Sequence, residues 1–218
     1  AVTSFQDALE EYQITHPVAH ASYLINLASP DRALWKKSVD AMVVELQRAD
    51  RLGISYVIVH PGAYTSSSEA RGIQAIGRAL NEIHRQTRAL DSQCLLETTA
   101  GQGTCLGCTF EQLAKIIDRV RNPERVAICF DTCHVFAAGY PLSTMKDYRH
   151  TMRQFDRVLG IRSIRAVHLN DSKTELGSRV DRHEHIGKAP PGKQPFENLL
   201  NDRRFRKVPL YLETPKGA

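Results

Sequence analysis

Residues 122–134 read Asn122-Pro123-Glu124-Arg125-Val126-Ala127-Ile128-Cys129-Phe130-Asp131-Thr132-Cys133-His134. Asn122-Pro123 stops the helical pattern before it, because proline disfavours the α conformation of the preceding residue. The apolar run 126–130 is too short for a helix and suits a buried strand. It closes on Asp131, a side chain able to bind metal.

The same grammar recurs along the chain. Short apolar runs lie at 18–19, 55–59, 94–96, 166–167 and 208–212. Between them, 33–51 places Leu34, Val39, Met42, Val43, Leu46 and Ala49 on one helical stripe, and 73–90 does so with Ile76, Ala79, Leu80 and Ile83. Segments 1–13, 110–120, 148–159 and 196–205 also read as helices. Alternating strands and helices predict an α/β fold with a parallel sheet, either an open doubly wound sheet or a TIM barrel.

Each apolar run ends in a His or a carboxylate: His20, His60, Glu97, Asp131, His168 and Glu213. An open sheet would spread these along a line. A barrel of parallel strands gathers all C-terminal strand ends on one face, where active sites form. Strand-end polar residues often only cap helices or bond loop backbone. Carboxylates buried together, however, need a compensating cation.

Three further candidates are placed in loops. His134 follows Asp131 by three residues, and Asp181 and His183 flank Arg182. In an extended segment, positions i and i+2 point the same way, so Asp181 and His183 can share one ion. Imidazole with carboxylate suits zinc, or manganese and iron, better than magnesium or calcium. The set is too large for one four-coordinate ion, so two or three ions with a bridging carboxylate are expected. Such a cluster attracts phosphate and suits in-line phosphoryl displacement.

Composition agrees without deciding the matter. The chain has 218 residues, 42% hydrophobic and 24% charged, an ordinary globular balance. No apolar run is long enough to cross a membrane, and no signal-peptide pattern stands at the start. Lys and Arg exceed Asp and Glu by 29 to 24, a formal +5 compatible with a polyanionic partner. Five cysteines, an odd number in a chain too long to need disulfide staples, point to a reducing cytoplasm. Cys105-x-x-Cys108 with Cys129 and Cys133 does not make a zinc ribbon, since the second pair is spaced wrongly and straddles Asp131.

On these residues the chain resembles the endonuclease IV family of AP endonucleases. The matching segments are His20-Ala-Ser-Tyr-Leu-Ile-Asn-Leu27, His60-Pro-Gly62, Leu96-Glu-Thr-Thr-Ala-Gly-Gln-Gly103, Phe130-Asp-Thr-Cys-His134 with Ala137-Ala-Gly-Tyr140, His168-Leu-Asn-Asp171, Asp181-Arg-His183 with Ile186-Gly187, and Leu212-Glu-Thr214. The resemblance implies a TIM (β/α)8-type barrel carrying three Zn2+ ions, with Mn2+ or Fe2+ as substitutes. His20 and His60 would hold the first and share bridging Glu97 with the second. Asp131, His168 and Glu213 would complete the second, and His134, Asp181 and His183 would hold the third.

The implied partner is double-stranded DNA with an abasic site or a blocked 3′ end. The implied reaction is hydrolysis on the 5′ side of the abasic site, by a hydroxide held between the first two zincs above Glu97, with trimming of damaged 3′ termini. Tyr23 matches a family tyrosine that inserts into DNA, and Arg182, Lys173 and Lys188 are candidate phosphate contacts. His185 is a weaker one, while His16, His84 and His150 read as surface or helix histidines. The expected protein is a cytoplasmic monomer, nucleoid-associated if bacterial, without membrane attachment.

A TIM barrel has eight βα units in about 250 residues, and six strands are visible here. Segment 1–218 is therefore expected to be one barrel domain lacking the first two βα units and the C-terminal helix. Ala189 stands where the family has a second glycine, so loop 187–192 is expected to run differently. Two rivals remain: a divalent-metal sugar isomerase or epimerase of the same superfamily, and a shortened metal- or DNA-binding relative without turnover.

Overall fold

The structure is a computed structural model that describes residues 1–214. Its elements run α1 (Val2–Glu11), β1 (Val18–His20), α2 (Arg32–Leu52), β2 (Tyr56–Val59), α3 (Glu69–Gln86), β3 (Gln93–Glu97), α4 (Phe110–Ile117), β4 (Val126–Asp131), α5 (Thr132–Ala138), α6 (Met145–Leu159), β5 (Ile164–His168), β6 (Asp171–Ser172), β7 (His183–Glu184), α7 (Gln194–Leu200) and β8 (Leu210–Tyr211). Six strands form one all-parallel sheet in the order β1-β2-β3-β4-β5-β8. The short β6 and β7 make a separate antiparallel hairpin. Among the described residues, β1 and β8 are the sheet's edges.

Helix starts follow from local chemistry. Asp31, Ser68, Thr109, Asp131 and Thr144 each accept a hydrogen bond from a backbone N–H three residues on, capping α2 through α6 in turn. Gly53, at φ +74°, ends α2 in the left-handed conformation that glycine adopts without strain. The α2 stripe of Val39, Met42, Val43, Leu46 and Ala49 and the α3 stripe of Ile73, Ile76, Ala79, Leu80 and Ile83 are buried as their periodicity requires.

Side chains alternate across each strand. Val57, Val59, Leu96, Ile128, Phe130 and Val167 meet the helices. Ile58, Leu95, Ala127, Cys129 and Ala166 form a second cluster on the other face, with Val18, Tyr56 and Tyr211 against it. That second face is buried although no helix lies on it. The explanation is curl. In a flat sheet β1 and β5, four strands apart, would be about 19 Å apart. Yet the His20 ring on β1 lies 5.9 Å from the His168 ring on β5. The sheet bends into a partial barrel, which decides against the open doubly wound alternative.

Several local expectations need correction. His134 is not in a loop; it lies in the first turn of α5, whose seven residues are too few to show a helical period. The predicted helix 196–205 breaks after Leu200, and Asp202 caps a separate 3-10 turn at Arg203–Phe205. His84 is helical as expected, but it is buried rather than at the surface. Ala189 takes an ordinary backbone conformation, and its N–H joins that of Gly187 on Asp171 Oδ2. Among the described residues, no helix is long and apolar enough to cross a membrane.

Candidate metal centre

The barrel face of each strand dictates which side chains meet. Val18, Ile58, Leu95, Cys129, Ala166 and Tyr211 face the interior. Two residues on from each stands His20, His60, Glu97, Asp131, His168 or Glu213. The period of two therefore carries all six into the barrel mouth.

Glu97 is the centre of the cluster and is fully buried. Its Oε2 lies 2.9 Å from His20 Nε2 and 3.2 Å from His60 Nε2. Its Oε1 lies 3.0 Å from His168 Nδ1 and 3.3 Å from His134 Nδ1. One carboxylate thus presents separate oxygens to separate groups of donors. His168 Nδ1 also lies 2.9 Å from Glu213 Oε2 and 3.7 Å from Asp131 Oδ2. On the outer side, His134 Nε2 is 3.1 Å from Asp181 Oδ2, and His183 Nε2 is 3.4 Å from Asp181 Oδ1.

The donors fall into compact groups whose ligand atoms all lie within 4.8 Å of one another: His20, His60 and Glu97; Glu97, Asp131, His168 and Glu213; Asp131, His134 and His183. Asp181 joins the last group through Cys133 and His183. The structure brings together every residue expected as a ligand.

Backbone carbonyls set the histidine tautomers. His20 Nδ1 donates to Ala21 O at 2.8 Å, and His134 Nδ1 donates to Thr98 O at 2.8 Å. His183 Nδ1 donates to Glu213 O at 3.3 Å. In each case Nε2 faces the cluster, where a protonated ring donates to a carboxylate and a neutral ring offers a metal its lone pair.

Electrostatics describe what the cluster needs. Burial opposes charge on Glu97, but hydrogen bonds from His134, His168, His20 and His60 hold its carboxyl well below the usual range. Burial likewise opposes charge on His134 and His168; Asp131, Asp181 and Glu97 overcome it at His134, and Cys129, Glu213 and Glu97 at His168, raising both. Asp181 and Glu213 are lowered by histidines against the opposing effect of burial. A buried set of carboxylates balanced by imidazoles is a cation site by its chemistry, and the mixed N/O donors fit divalent zinc, manganese or iron.

Supporting residues escaped the sequence reading. Asn170, buried, donates from Nδ2 to Asp131 Oδ2 at 2.6 Å and accepts the Glu213 N–H at Oδ1, tying β4 to the segment after β8. Thr98 Oγ1 accepts the Asp131 N–H at 2.9 Å. Gln102 Oε1 accepts the Asp181 N–H at 3.1 Å, so the Gly101-Gln102-Gly103 turn positions an outer donor. Polar residues in loops carry no period, and their only signal was adjacency to the ligands.

The mouth residues differ in their surroundings. Tyr23 is 90% exposed, and Leu24 beside it is 69% exposed. The sequence pointed to the first and not the second. Arg182 Nη1 donates to Asp181 O at 2.6 Å, with the rest of its guanidinium exposed. Lys173 Nζ lies 3.5 Å from Glu184 across the β6–β7 hairpin. Lys188 and His185 are exposed on the adjoining loop. All five cysteines are free thiols; Cys133 Sγ donates to Arg182 O at 3.6 Å, and no four-cysteine site forms among the described residues.

Fold and donor set together define a metal-binding barrel, and residues 1–218 match the model of the xylose isomerase-like TIM barrel family. A probable endonuclease 4 of Geobacter sulfurreducens is 49% identical over 213 residues, which cover 98% of this chain and 72% of that protein. One from Chloroflexus aurantiacus is 44% identical over 215 residues, covering 99% and 75%. The crystal structure of endonuclease IV from Thermus thermophilus superposes with a TM-score of 0.85 at 35% identity, covering 99% of this chain and 75% of that one. This chain belongs to the endonuclease IV family. A D-tagatose 3-epimerase-like protein shares the fold at 21% identity and a TM-score of 0.78.

Proposed function

We propose that this chain is a zinc-dependent DNA-repair nuclease that hydrolyses the phosphodiester 5′ to an abasic site in duplex DNA and trims blocked 3′ termini. Water adds across the P–O3′ bond, leaving a 3′-hydroxyl and a 5′-deoxyribose phosphate. The relatives named endonuclease 4 support the reaction class. The observation that carries the reading is Glu97, whose two oxygens face different histidine pairs.

His20, His60 and Glu97 would hold one zinc; Glu97, Asp131, His168 and Glu213 a second; His134, Asp181 and His183 a third. Bound there, zinc supplies the Lewis acidity that phosphoryl displacement requires. Glu97, with one oxygen towards each histidine pair, would bridge and orient the inner pair. Asn170 holds Asp131 and Glu213 in register. Tyr23 and Leu24 replace stacking lost when a damaged nucleotide leaves the helix, a cost of a few kcal/mol that an apolar wedge offsets. Arg182 and Lys173 contact flanking phosphates.

The test is incision of a labelled duplex bearing one abasic-site analogue, with metal quantified per chain. Three ions and cleavage on the 5′ side are expected. One or two ions with ketose epimerisation would overturn the reading in favour of a sugar-active barrel. Three ions with neither incision nor 3′ trimming would reduce the chain to a binding protein.

A further inference from the structure

The groove between α2 and α3 lies outside the metal centre and is lined unevenly with charge. Near the barrel mouth are two adjoining cavities. One of about 270 Å³ is lined by Ser29, Pro30, Ser67, Arg71, Gln74 and Arg78, among others. The other, of about 440 Å³, is lined by Ser29, Pro30, Arg32, Trp35 and Arg78. No carboxylate lines either. Below them, a third cavity of about 470 Å³ continues along the two helices past Arg78 to Arg121.

Two cations of the lower groove, Lys36 and Arg85, are neutralised, whereas Arg121 there and the cations of the upper groove are not, among the described residues. Lys36 pairs with Asp40 at 2.7 Å, and Arg85 pairs with Glu82 at 2.6 Å. Arg32, Arg71 and Arg78 are exposed, and among the described residues none has a carboxylate within ion-pair distance. The two nearby acids are engaged: Asp31 caps α2, and Glu69 accepts from Gln112 Nε2 at 3.0 Å. Arg71 and Arg78 stand two helical turns apart on one face of α3. Seven residues of helix separate their Cα atoms by about 10 Å.

The groove is also held in place relative to the metal centre. The loops 21–31 and 60–68, which follow His20 and begin with His60, lead directly into α2 and α3. Asn26 locks these loops together, accepting the Ala63 N–H at 2.9 Å and donating to Ala63 O at 2.9 Å. A Cβ on Gly62 would meet Asn26 Oδ1 at 2.4 Å, so the clamp requires glycine. The helices that carry Arg32, Arg71 and Arg78 are therefore anchored to the loops that leave the barrel mouth.

We infer that the upper α2–α3 groove, through Arg32, Arg71 and Arg78 around Pro30, binds the phosphate backbone of duplex DNA flanking the reaction site. This rests on the nuclease reading for its substrate. The guanidinia supply charge and donors, and the absence of carboxylates from the lining favours an anion. Trp35 is the chain's single tryptophan. Its ring lies under Arg78, 5.9 Å from the guanidinium carbon, and its Nε1 donates to Ala75 O at 3.1 Å. It is a built-in reporter.

The experiment titrates the protein with two abasic-analogue duplexes, one short and one extended on both sides, following Trp35 emission and anisotropy across salt concentrations. The triple variant Arg32→Gln, Arg71→Gln, Arg78→Gln is compared with Arg153→Gln, Arg157→Gln, which removes charge from exposed positions on α6. The extended duplex is expected to bind the unmodified chain more tightly than the short one and to change Trp35 emission. The triple variant should lose that advantage, weakening roughly tenfold or more at moderate salt, with a log–log salt slope shallower by about 3. Its incision of the short duplex and the behaviour of the α6 control should not change.

An unaltered slope in the triple variant, or an equal loss in the α6 control, overturns the inference. So does a Trp35 response to poly-glutamate but not to DNA, which would assign the groove to an acidic protein. Failure of the unmodified chain to incise, with an arginine-dependent slope retained, rejects the nuclease reading and keeps the groove. Failure to bind any duplex rejects both.

Discussion

His134 and His183 face one another through their Nε2 atoms at 3.3 Å, although each ring donates from Nδ1 to a backbone carbonyl. Two imidazole lone pairs at that distance repel unless a cation or a proton stands between them, and Asp181 lies beside both. The outer group therefore has the donors to hold an ion of its own. Replacing His183 with Ala is expected to lower the bound metal by one ion per chain and leave the inner group loaded, as read by elemental analysis of the purified variant.

Glu97→Gln keeps the shape and removes the charge. Four histidines would then face a neutral amide in a fully buried position. Breaking a buried pair of this kind costs about 3–5 kcal/mol, so the metal-free variant should unfold at markedly lower denaturant. Loss of both inner ions should accompany it. A variant that retains three metals and its midpoint would show that Glu97 does not bridge.

Asn170 acts through Asp131 and Glu213 rather than on a ligand of its own. Outer residues of this type change metal affinity by about 10–100-fold. Asn170→Ala should weaken retention of the inner ions in a chelator competition by that order, while Asn170→Asp, adding a charge beside two carboxylates, should weaken it in a pH-dependent way. Equal retention in all three proteins would remove Asn170 from the site.

Tyr23 separates binding from folding. Because it is 90% exposed, Tyr23→Ala should alter stability by less than about 0.5 kcal/mol. Its affinity for a duplex with an abasic analogue should fall by about 1–3 kcal/mol, the usual worth of an aromatic stacking contact. Thermal melts and anisotropy on the same preparation distinguish the two effects.

His84 predicts an acid limit to stability. It is buried in α3 with neither ring nitrogen hydrogen-bonded. Burial lowers it to about 4, with nearby Arg125 adding to the effect. A folded value below the unfolded 6.5 means that the unfolded chain binds the extra proton. Its contribution is complete above pH 6.5 and is lost as pH falls towards 4, on the order of 3 kcal/mol at the limit. His84→Leu should flatten the stability profile between pH 6.5 and 4; a profile as steep as before would place the acid sensitivity elsewhere.

The α/β class, the helical stripes of α2 and α3, and the six polar residues that close the apolar runs were legible in the sequence because each is a local pattern. Periods of 3.6 and 2 appear in residue order, and a polar residue closing an apolar run needs no partner to be noticed. The seven residues of α5 and the two-residue strands β6 and β7 are too short for a period to repeat legibly, so they were missed. Asn170, Thr98 and Leu24 were missed because a loop residue gains meaning only from what it touches.

Residue order alone thus establishes which side chains are available, but not which of them share an ion. Glu97 and His20 are 77 positions apart in the chain, and Glu97 and His168 are 71 apart, yet both histidines bond one carboxylate. Curl of the sheet decides that meeting. In a flat sheet the same residues in the same register would form a row about 4.8 Å apart per strand. Bending turns the row into a cluster, and only a cluster can balance buried carboxylates with cations held in common.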